Sequence, residues 1–339
     1  MIGDDMMIKL EDIAKLAHVS KATTSLALND RPGVNEATRQ RIKSVVSQYG
    51  YKPLRKRNDV LNFDLVAIKS ANILTADFSE QPFFEKMLAL FSNEASNFNV
   101  HLNTSILDMQ DLRKGNYSLT GDGAFLIGTD LSEEAARLVQ ELQPNLVVVD
   151  TNFPVMDASF VTMDSYQGSY KSAVYLANQG FKKLGYIKSS FRMYNYDQRR
   201  LGFEDGLASV NLKLDEDNVY QLSPISTTPQ PDEVSPIVNS SRLPEVFFCE
   251  DDYLALSLVK ICQQHHLRIP EDIAIMGFND NREDKLVYPE ISTVHVPMRE
   301  MVRQSLLTLT KLLSGELTAN VKIFVSTKIV ERGSTAKLD

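Results

Sequence analysis

The sequence predicts an all-α headpiece containing a helix-turn-helix, followed by a two-lobed α/β body with parallel sheets. Three observations predict it. Between Ile8 and Pro53, apolar residues recur at helical spacing and are punctuated by capping residues and one tight turn. From Leu65 onward, short apolar runs alternate with longer helical segments. The charge also changes sign: residues 1–57 hold 11 Lys+Arg and 6 Asp+Glu, a balance of +5, while the remainder carries −13 within a chain total of −8.

In the headpiece, Leu10, Ile13, Ala14, Leu16 and Ala17 share one face of a first helix. His18, Val19 and Ser20 form the turn. Ser20 suits the N-cap of a second helix, because its hydroxyl can accept from the free backbone N–H groups there. That helix runs to Leu28, and the run Asn29-Asp30-Arg31-Pro32-Gly33 breaks the chain. Asn35 caps a third helix, which turns Ile42, Val45 and Val46 inward and ends at Gly50. Two helices joined by a short turn and braced by a third are the unit that presents one helix to a DNA major groove. A basic head on an acidic body fits that role, since the head meets phosphates and the body does not. A helical domain with a solvated basic face would explain the charge, but not the turn and the caps.

The body carries strand candidates at Leu65–Ile68, Ala124–Ile127, Leu146–Val149, Phe160–Met163, Leu184–Ile187, Val246–Cys249 and Ile273–Phe278, with a late pair at Thr293–Val296 and Ile323–Ile329. Helices are predicted at Phe83–Phe98, Ser132–Leu142, Gln167–Gln179, Arg199–Val210, Asp252–His265 and Met298–Leu313. Strands that are apolar throughout are buried on both faces. Their alternation with helices gives right-handed crossovers and parallel sheets. So long a body exceeds one open sheet of ordinary size, so two doubly wound lobes are expected.

The composition, 43% hydrophobic and 24% charged, is that of an ordinary soluble globular protein. No apolar run approaches the roughly 18–20 residues that span a bilayer. The N-terminus MIGDDMMIKLED is acidic and lacks the apolar stretch of a signal peptide. Cys249 and Cys262 are too few for a disulfide framework and match no zinc spacing. The expectation is a cytoplasmic protein with free thiols, no metal and no membrane partner. His265-His266 falls at a helix end, where dipole capping is the ordinary role.

Ligands in doubly wound sheets bind at the C-terminal ends of strands. The residues there are polar. Asp150 follows LVVV, Asp164 follows FVTM, Asp251 and Asp252 follow VFFCE, and Asn279 and Asp280 follow IAIMGF. Phe83 and Phe84 come after the loop that leaves the first strand, and Arg199 is read as opening a helix. Carboxylates, an amide, a guanidinium and aromatic rings are the equipment of a sugar site. Any one such Asp is commonly only a helix cap. The set of them at corresponding strand ends points to a ligand.

Over essentially its whole length the chain resembles the lactose-repressor (LacI/GalR) family of bacterial regulators. The resemblance lies in IKLEDIAKLAHVSKATTSLALN, TRQRI and YGYKP, then in QPFFEKML, DGAFLIG, VVVDTN, VTMDSYQGSY, RRLGFEDGL, CEDDYLAL, RIPEDIAIMGFND, PEISTVHVP and VERGST. It implies a headpiece over residues 1–54 and a hinge over 55–64. It further implies a two-lobed, type I periplasmic-binding-protein-like body: an N-terminal lobe of 65–164 with 293–321, and a C-terminal lobe of 165–292 with 322–335. It implies a homodimer on operator DNA, regulating carbohydrate genes as a repressor. A sugar-like effector between the lobes would set the separation of the two headpieces, which must lie about 34–36 Å apart to read both half-sites. Carried over by residue, DNA contacts fall on Ser20, Lys21, Ala22, Thr23, Ser25, Leu26, Asn29 and Thr38, with Arg55, Arg57 and Val60 in the hinge. Effector contacts fall on Phe83, Phe84, Asp150, Arg199, Asp251 and Asn279, with Phe84 as the stacking ring and Asp251 as a charge partner of Arg199.

The chain departs from the family pattern in places. His18 occupies a turn position that usually holds Gly, at some cost in left-handed strain. In the hinge, Arg57 takes a position usually small and Val60 the position of the minor-groove wedge, with Asp59 beside it. Val reaches less far than Leu, so either Leu61 shifts into its place or this hinge does not kink DNA as its relatives do. Asp251 and Asn279 exchange the order of amide and carboxylate common in the family, which favours a neutral, hydroxyl-rich ligand over a sugar phosphate.

Two other functional classes make demands that the sequence does not meet. A sugar-acting doubly wound enzyme with a fused DNA-binding head would need a catalytic motif, and GxxxxGK, GxSxG and HExxH are all absent. A plain solute-binding protein would need a signal peptide and no basic head. The family also often carries Arg where Leu26 stands. An Arg–guanine pair gives about 1–3 kcal/mol of base discrimination, which Leu cannot supply. Leu26→Arg is therefore expected to change the preferred base at one operator position in a binding-site selection, and an unaltered consensus would refute the assignment.

Overall fold

The computed structural model describes residues 10–28, 32–49, 60–69, 82–223, 230–238 and 243–336. They fall into two units, Met1–Asp59 and Val60–Asp339. The expected linker over 55–64 is therefore shorter at its C-terminal end, because the first body strand already begins at Leu61.

The headpiece unit comprises α1 (Leu10–Leu16), α2 (Lys21–Leu28) and α3 (Glu36–Tyr49). Its core is Ile13, Ala17, Ala27 and Ile42, with Val45 and Val46 packed against it. Ser20 caps α2, accepting from the Thr23 N–H at 3.0 Å, and Asn35 caps α3, accepting from the Thr38 N–H at 2.8 Å. The turn residue His18 has φ of 51°, the left-handed conformation anticipated for it. Arg39 donates to the Ala27 carbonyl at 2.9 Å and so fastens α3 to the last turn of α2.

In the body, β1 (Leu61–Ile68), α4 (Pro82–Ala95), β2 (Val100–Leu107), α5 (Met109–Arg113), β3 (Gly123–Ile127), α6 (Glu133–Leu142), β4 (Leu146–Val149) and β5 (Ser159–Met163) build the first lobe. The chain then crosses over. Next come α7 (Ser165–Asn178), β6 (Leu184–Ser189), α8 (Tyr194–Ser209), β7 (Val219–Leu222), α9 (Pro231–Val238), β8 (Val246–Cys249), α10 (Asp252–Gln264) and β9 (Ala274–Met276). The tail adds β10 (Thr293–His295), α11 (Met298–Ser314), β11 (Lys322–Val325) and β12 (Lys328–Val330). The first sheet has the order β11-β5-β4-β3-β1-β2 and the second β7-β6-β8-β9, and every pairing in both is parallel.

Alternate residues of each strand serve opposite faces. Phe63 and Leu65 of β1 face one core, while Val66 and Ile68 face another under α6. Phe248 of β8 joins the first core, while Phe247 and Cys249 face α10. That first core is continuous through both lobes, running from Phe125 by way of Met163, Val294 and Val296 to Tyr186 and Phe203.

Several boundaries differ from the sequence reading. The strand expected at Ile323–Ile329 is two strands. β11 stays in the first sheet beside β5, and β12 pairs antiparallel with β10. Lys322–Val325 therefore does not belong to the C-terminal lobe. Ser292 and His295 bridge Met276 and Asn279, so the Thr293 segment continues the second sheet rather than opening the first lobe. The crossovers lie at Asp164, after His295, and at Ser326–Thr327. The strands β2 and β7 and the helices α5 and α9 were not anticipated.

The helices that carry the site pack at close range. A Cβ on Gly202 of α8 would stand 2.2 Å from the Tyr166 carbonyl oxygen of α7, and one on Gly206 2.6 Å from that of Tyr170. Only glycine permits this approach. Gly202→Ala is expected to destabilise the body by roughly 1–3 kcal/mol, read as a melting temperature several degrees lower. An unchanged melting temperature would mean that α7 and α8 are free to separate.

Candidate functional site

Helix α8 begins at Tyr194, so Arg199 lies in its second turn and does not open it, contrary to the sequence reading. The early start brings Asn195 and Arg199, four residues apart, onto one face. Asn195 is buried and reaches across the lobes. Its Nδ2 donates to the Asp150 carbonyl at 2.7 Å and to Asp150 Oδ1 at 3.1 Å, and the Thr162 hydroxyl donates to its Oδ1 at 3.3 Å. Asp150, at the end of β4, also accepts from the Thr129 hydroxyl at 2.6 Å. Its φ of 72° bends the chain sharply there. Burial pushes the Asp150 carboxyl up from 3.8 to about 6, against the opposing effects of Thr129, Arg199 and Asn195.

Arg199 is 3% exposed. Its guanidinium donates to the Glu250 carbonyl and, at 3.3 Å, to Asn279 Oδ1. It lies 3.8 Å from the Phe278 ring centroid and 5.3 Å from that of Tyr196. Asn279 is held in place by its N–H, which donates to the Val294 carbonyl at 2.9 Å. The Nε of Arg199 and the Oδ1 of Asn152 are buried without a hydrogen-bond partner among the described residues. Buried polar atoms of this kind call for a partner that the protein does not supply.

Asp251 departs from its expected role. Its Oδ1 accepts from the Leu254 N–H at 3.0 Å, capping α10, and its Oδ2 accepts from the Tyr196 hydroxyl. Arg199 acts on it only through its field, and burial raises the carboxyl. Asp164 is likewise the cap of α7, accepting from the Gln167 N–H at 2.9 Å. Phe84 is 2% exposed and belongs to the first core with Met87 and Phe91, because positions 84, 87 and 91 form the inward face of α4. Phe83, half-buried, keeps accessible ring surface. The sequence reading also missed Glu250. It is fully buried and accepts from the Tyr186 hydroxyl at 2.9 Å, the Ser189 N–H at 2.6 Å and the Arg192 guanidinium at 2.8 and 2.9 Å.

In the headpiece, Lys21 and Ala22 are exposed, while Thr23, Ser25, Leu26 and Thr38 are half-buried. Ser20 and Thr23 share a 2.8 Å hydroxyl contact, and Lys21 rests on Glu11 at 2.6 Å. Thr24 and Ala27 face the interior. The outward face of α2 is thus the one carrying the proposed DNA contacts. Asn29, Arg55 and Arg57 lie outside the described residues. Val60 is 54% exposed.

Comparison with known proteins matches residues 9–54 to the model of bacterial regulatory proteins, lacI family, and residues 173–335 to a periplasmic binding protein-like domain. The chain belongs to the lacI family. The regulator is 27% identical to the HTH-type transcriptional regulator RegA of Clostridium saccharobutylicum, over 97% of this chain and all of that one. It is 24% identical to catabolite control protein A of Staphylococcus epidermidis, with the same coverage. Among solved structures, a CelR–cellobiose complex superposes with a TM-score of 0.70 at 20% identity, covering 96% of this chain and 99% of that one. The lac repressor dimer bound to operator and the anti-inducer ONPF gives 0.67 at 16% identity, covering 98% and 100%. These structures share the regulator's fold. Among the described residues no helix is long and apolar enough to cross a membrane.

The raised Asp150 carboxyl links the site to pH. The folded body binds this proton more tightly than the unfolded chain does, so the resulting stabilisation is complete below about pH 4 and is lost as pH rises through about 6. Relative to Asp150→Asn, the unsubstituted protein should lose up to about 3 kcal/mol of stability between those values. Melting temperatures of the two proteins, taken from pH 4 to pH 8, measure it. Parallel profiles would show that Asp150 titrates normally.

Proposed function

We propose that this transcription regulator binds operator DNA as a homodimer through α2, and that a neutral, hydroxyl-rich small molecule of the sugar class, held between the lobes, controls that binding. The observation that carries the effector reading is the buried Arg199 with its unpartnered Nε, set beside Asn279 and Phe278 and within the field of Asp150. A sugar hydroxyl can accept from that Nε and donate to a carboxylate in the same site. Carboxylates outnumber cations around Arg199, since Asp150 and Asp251 lie within its field and Arg192 is already bound by Glu250 and Asp197. This balance disfavours a phosphorylated ligand.

The effector acts by holding one lobe angle, and it shifts DNA affinity only as far as it binds one angle better than the other. Asn195 itself spans the lobes, so an effector adds to or displaces that clasp. The role is binding and not catalysis. The DNA contacts assigned to Ser20, Lys21, Ala22, Thr23, Ser25, Leu26, Thr38 and the hinge follow the same reading, with Lys21 leaving Glu11 for phosphate.

Two measurements test it. In a thermal-shift screen, a neutral sugar at 100 times its dissociation constant should stabilise the regulator by about 2.7 kcal/mol. Its phosphate ester should not, and Arg199→Gln should abolish the response. A shift that survives Arg199→Gln would remove Arg199 from the site. Deletion of residues 1–59 should abolish duplex DNA binding, and retained affinity would overturn the headpiece assignment.

A further inference from the structure

We propose a second small-molecule site on the C-terminal lobe, one that takes a small organic anion with an apolar body. A pocket of about 500 Å³ opens between the outer face of α7 and the start of β12. That volume lies within the range of small-molecule sites, about 300–1,000 Å³. The pocket shares no residue with the Arg199 site. Tyr170 and Tyr175 give it aromatic walls, and Val174 and Ile329 add aliphatic surface. The charges that line it are Lys171 and Lys328, both exposed, and the lining contains no carboxylate. Glu331, whose charge is felt by Tyr175, lies outside the lining.

The occupant follows from this arrangement. An apolar body would cover the tyrosine and aliphatic surface. An anionic head, carboxylate or phosphate, would sit between the two ammonium groups. Lys171 donates to Gln167 Oε1 at 2.7 Å, which leaves two of its three protons for a ligand. Thr327, also in the lining, is 2% exposed, and its hydroxyl has no partner among the described residues. That hydroxyl lies against Gly168 of α7, so Thr327 closes the inner wall of the pocket.

The position gives the site its consequence. Thr327 belongs to the third crossover between the lobes, and Lys328 and Ile329 continue directly from it. A ligand touching α7 and these residues together would tie the crossover to the C-terminal lobe and favour one lobe angle. That regulatory step rests on the function proposed above, whereas the binding itself does not.

The full chain is titrated with the fluorescent anion 8-anilinonaphthalene-1-sulfonate, and the bound probe is competed with benzoate, phenyl phosphate and neutral benzyl alcohol. One probe per chain is expected to bind, with affinity reduced about tenfold or more in K171Q/K328Q. Displacement by benzoate identifies a carboxylate head, and displacement by phenyl phosphate a phosphate head. Unchanged affinity in the double variant, or displacement by benzyl alcohol equal to that by the anions, overturns the site. Benzoate or phenyl phosphate should also slow amide hydrogen exchange over residues 326–330. Binding without such slowing overturns the link to the crossover. Neither readout uses DNA or a sugar, so failure here is distinguishable from failure of the effector site.

Discussion

The body is organised around the burial of one guanidinium. A guanidinium is a permanent charge, and an isolated charge in the interior is costly. The chain satisfies it without a direct carboxylate contact: a carbonyl from Glu250, an amide oxygen from Asn279 and two aromatic rings surround it. Asp150 and Asp251 feel its field from a distance, and burial raises both of them. The result is a hub whose hydrogen-bonding capacity is not fully used. Its hydrogen-bond partners come from the residues after β8 and β9, so the hub fixes the C-terminal ends of two strands at once.

The hub is only as well placed as the helix that bears it. Helix α8 presents Asn195 and Arg199 on one face because it is pressed against α7 through Gly202 and Gly206. Helix α7 in turn starts at the first crossover, with Asp164 as its cap. Position in the cleft is therefore set by backbone contact between helices more than by the side chains of the site. A second, partly buried network, in which Asp280 pairs with Arg332 and with His295 at 2.9 Å, ties the tail to the second crossover.

Much of this was legible in the sequence, and what was missed has physical causes. The apolar strands buried on both faces, Leu146–Val149 and Val246–Cys249, have the predicted bounds. The caps Ser20 and Asn35 and the left-handed His18 were likewise readable from local chemistry. Strand β2 was missed because VHLNTSIL forms an edge with most of its residues outside the core, and its apolar signal is diluted accordingly. The start of α8 was missed because Tyr194, Asn195 and Asp197 are weak helix formers held by tertiary contacts. That error hid Asn195, whose spacing from Arg199 would have marked it. Phe84 was misjudged for the opposite reason, since adjacency to a loop does not reveal which way a helix turns its first aromatic residues. Asp251 and Asp164 met the ordinary fate of an aspartate after a strand, as caps.

The glycine seam between α7 and α8 has a mechanical consequence. Two helices in backbone contact have no intervening side chains to re-pack, so they slide or bend poorly against one another and behave as a single stiff strut. The hub and the first crossover lie at the same end of that strut, since Gly202, just after Arg199, meets Tyr166, just after Asp164. A small displacement of the guanidinium is then passed to the crossover over a short, stiff path, with little of it absorbed along the way.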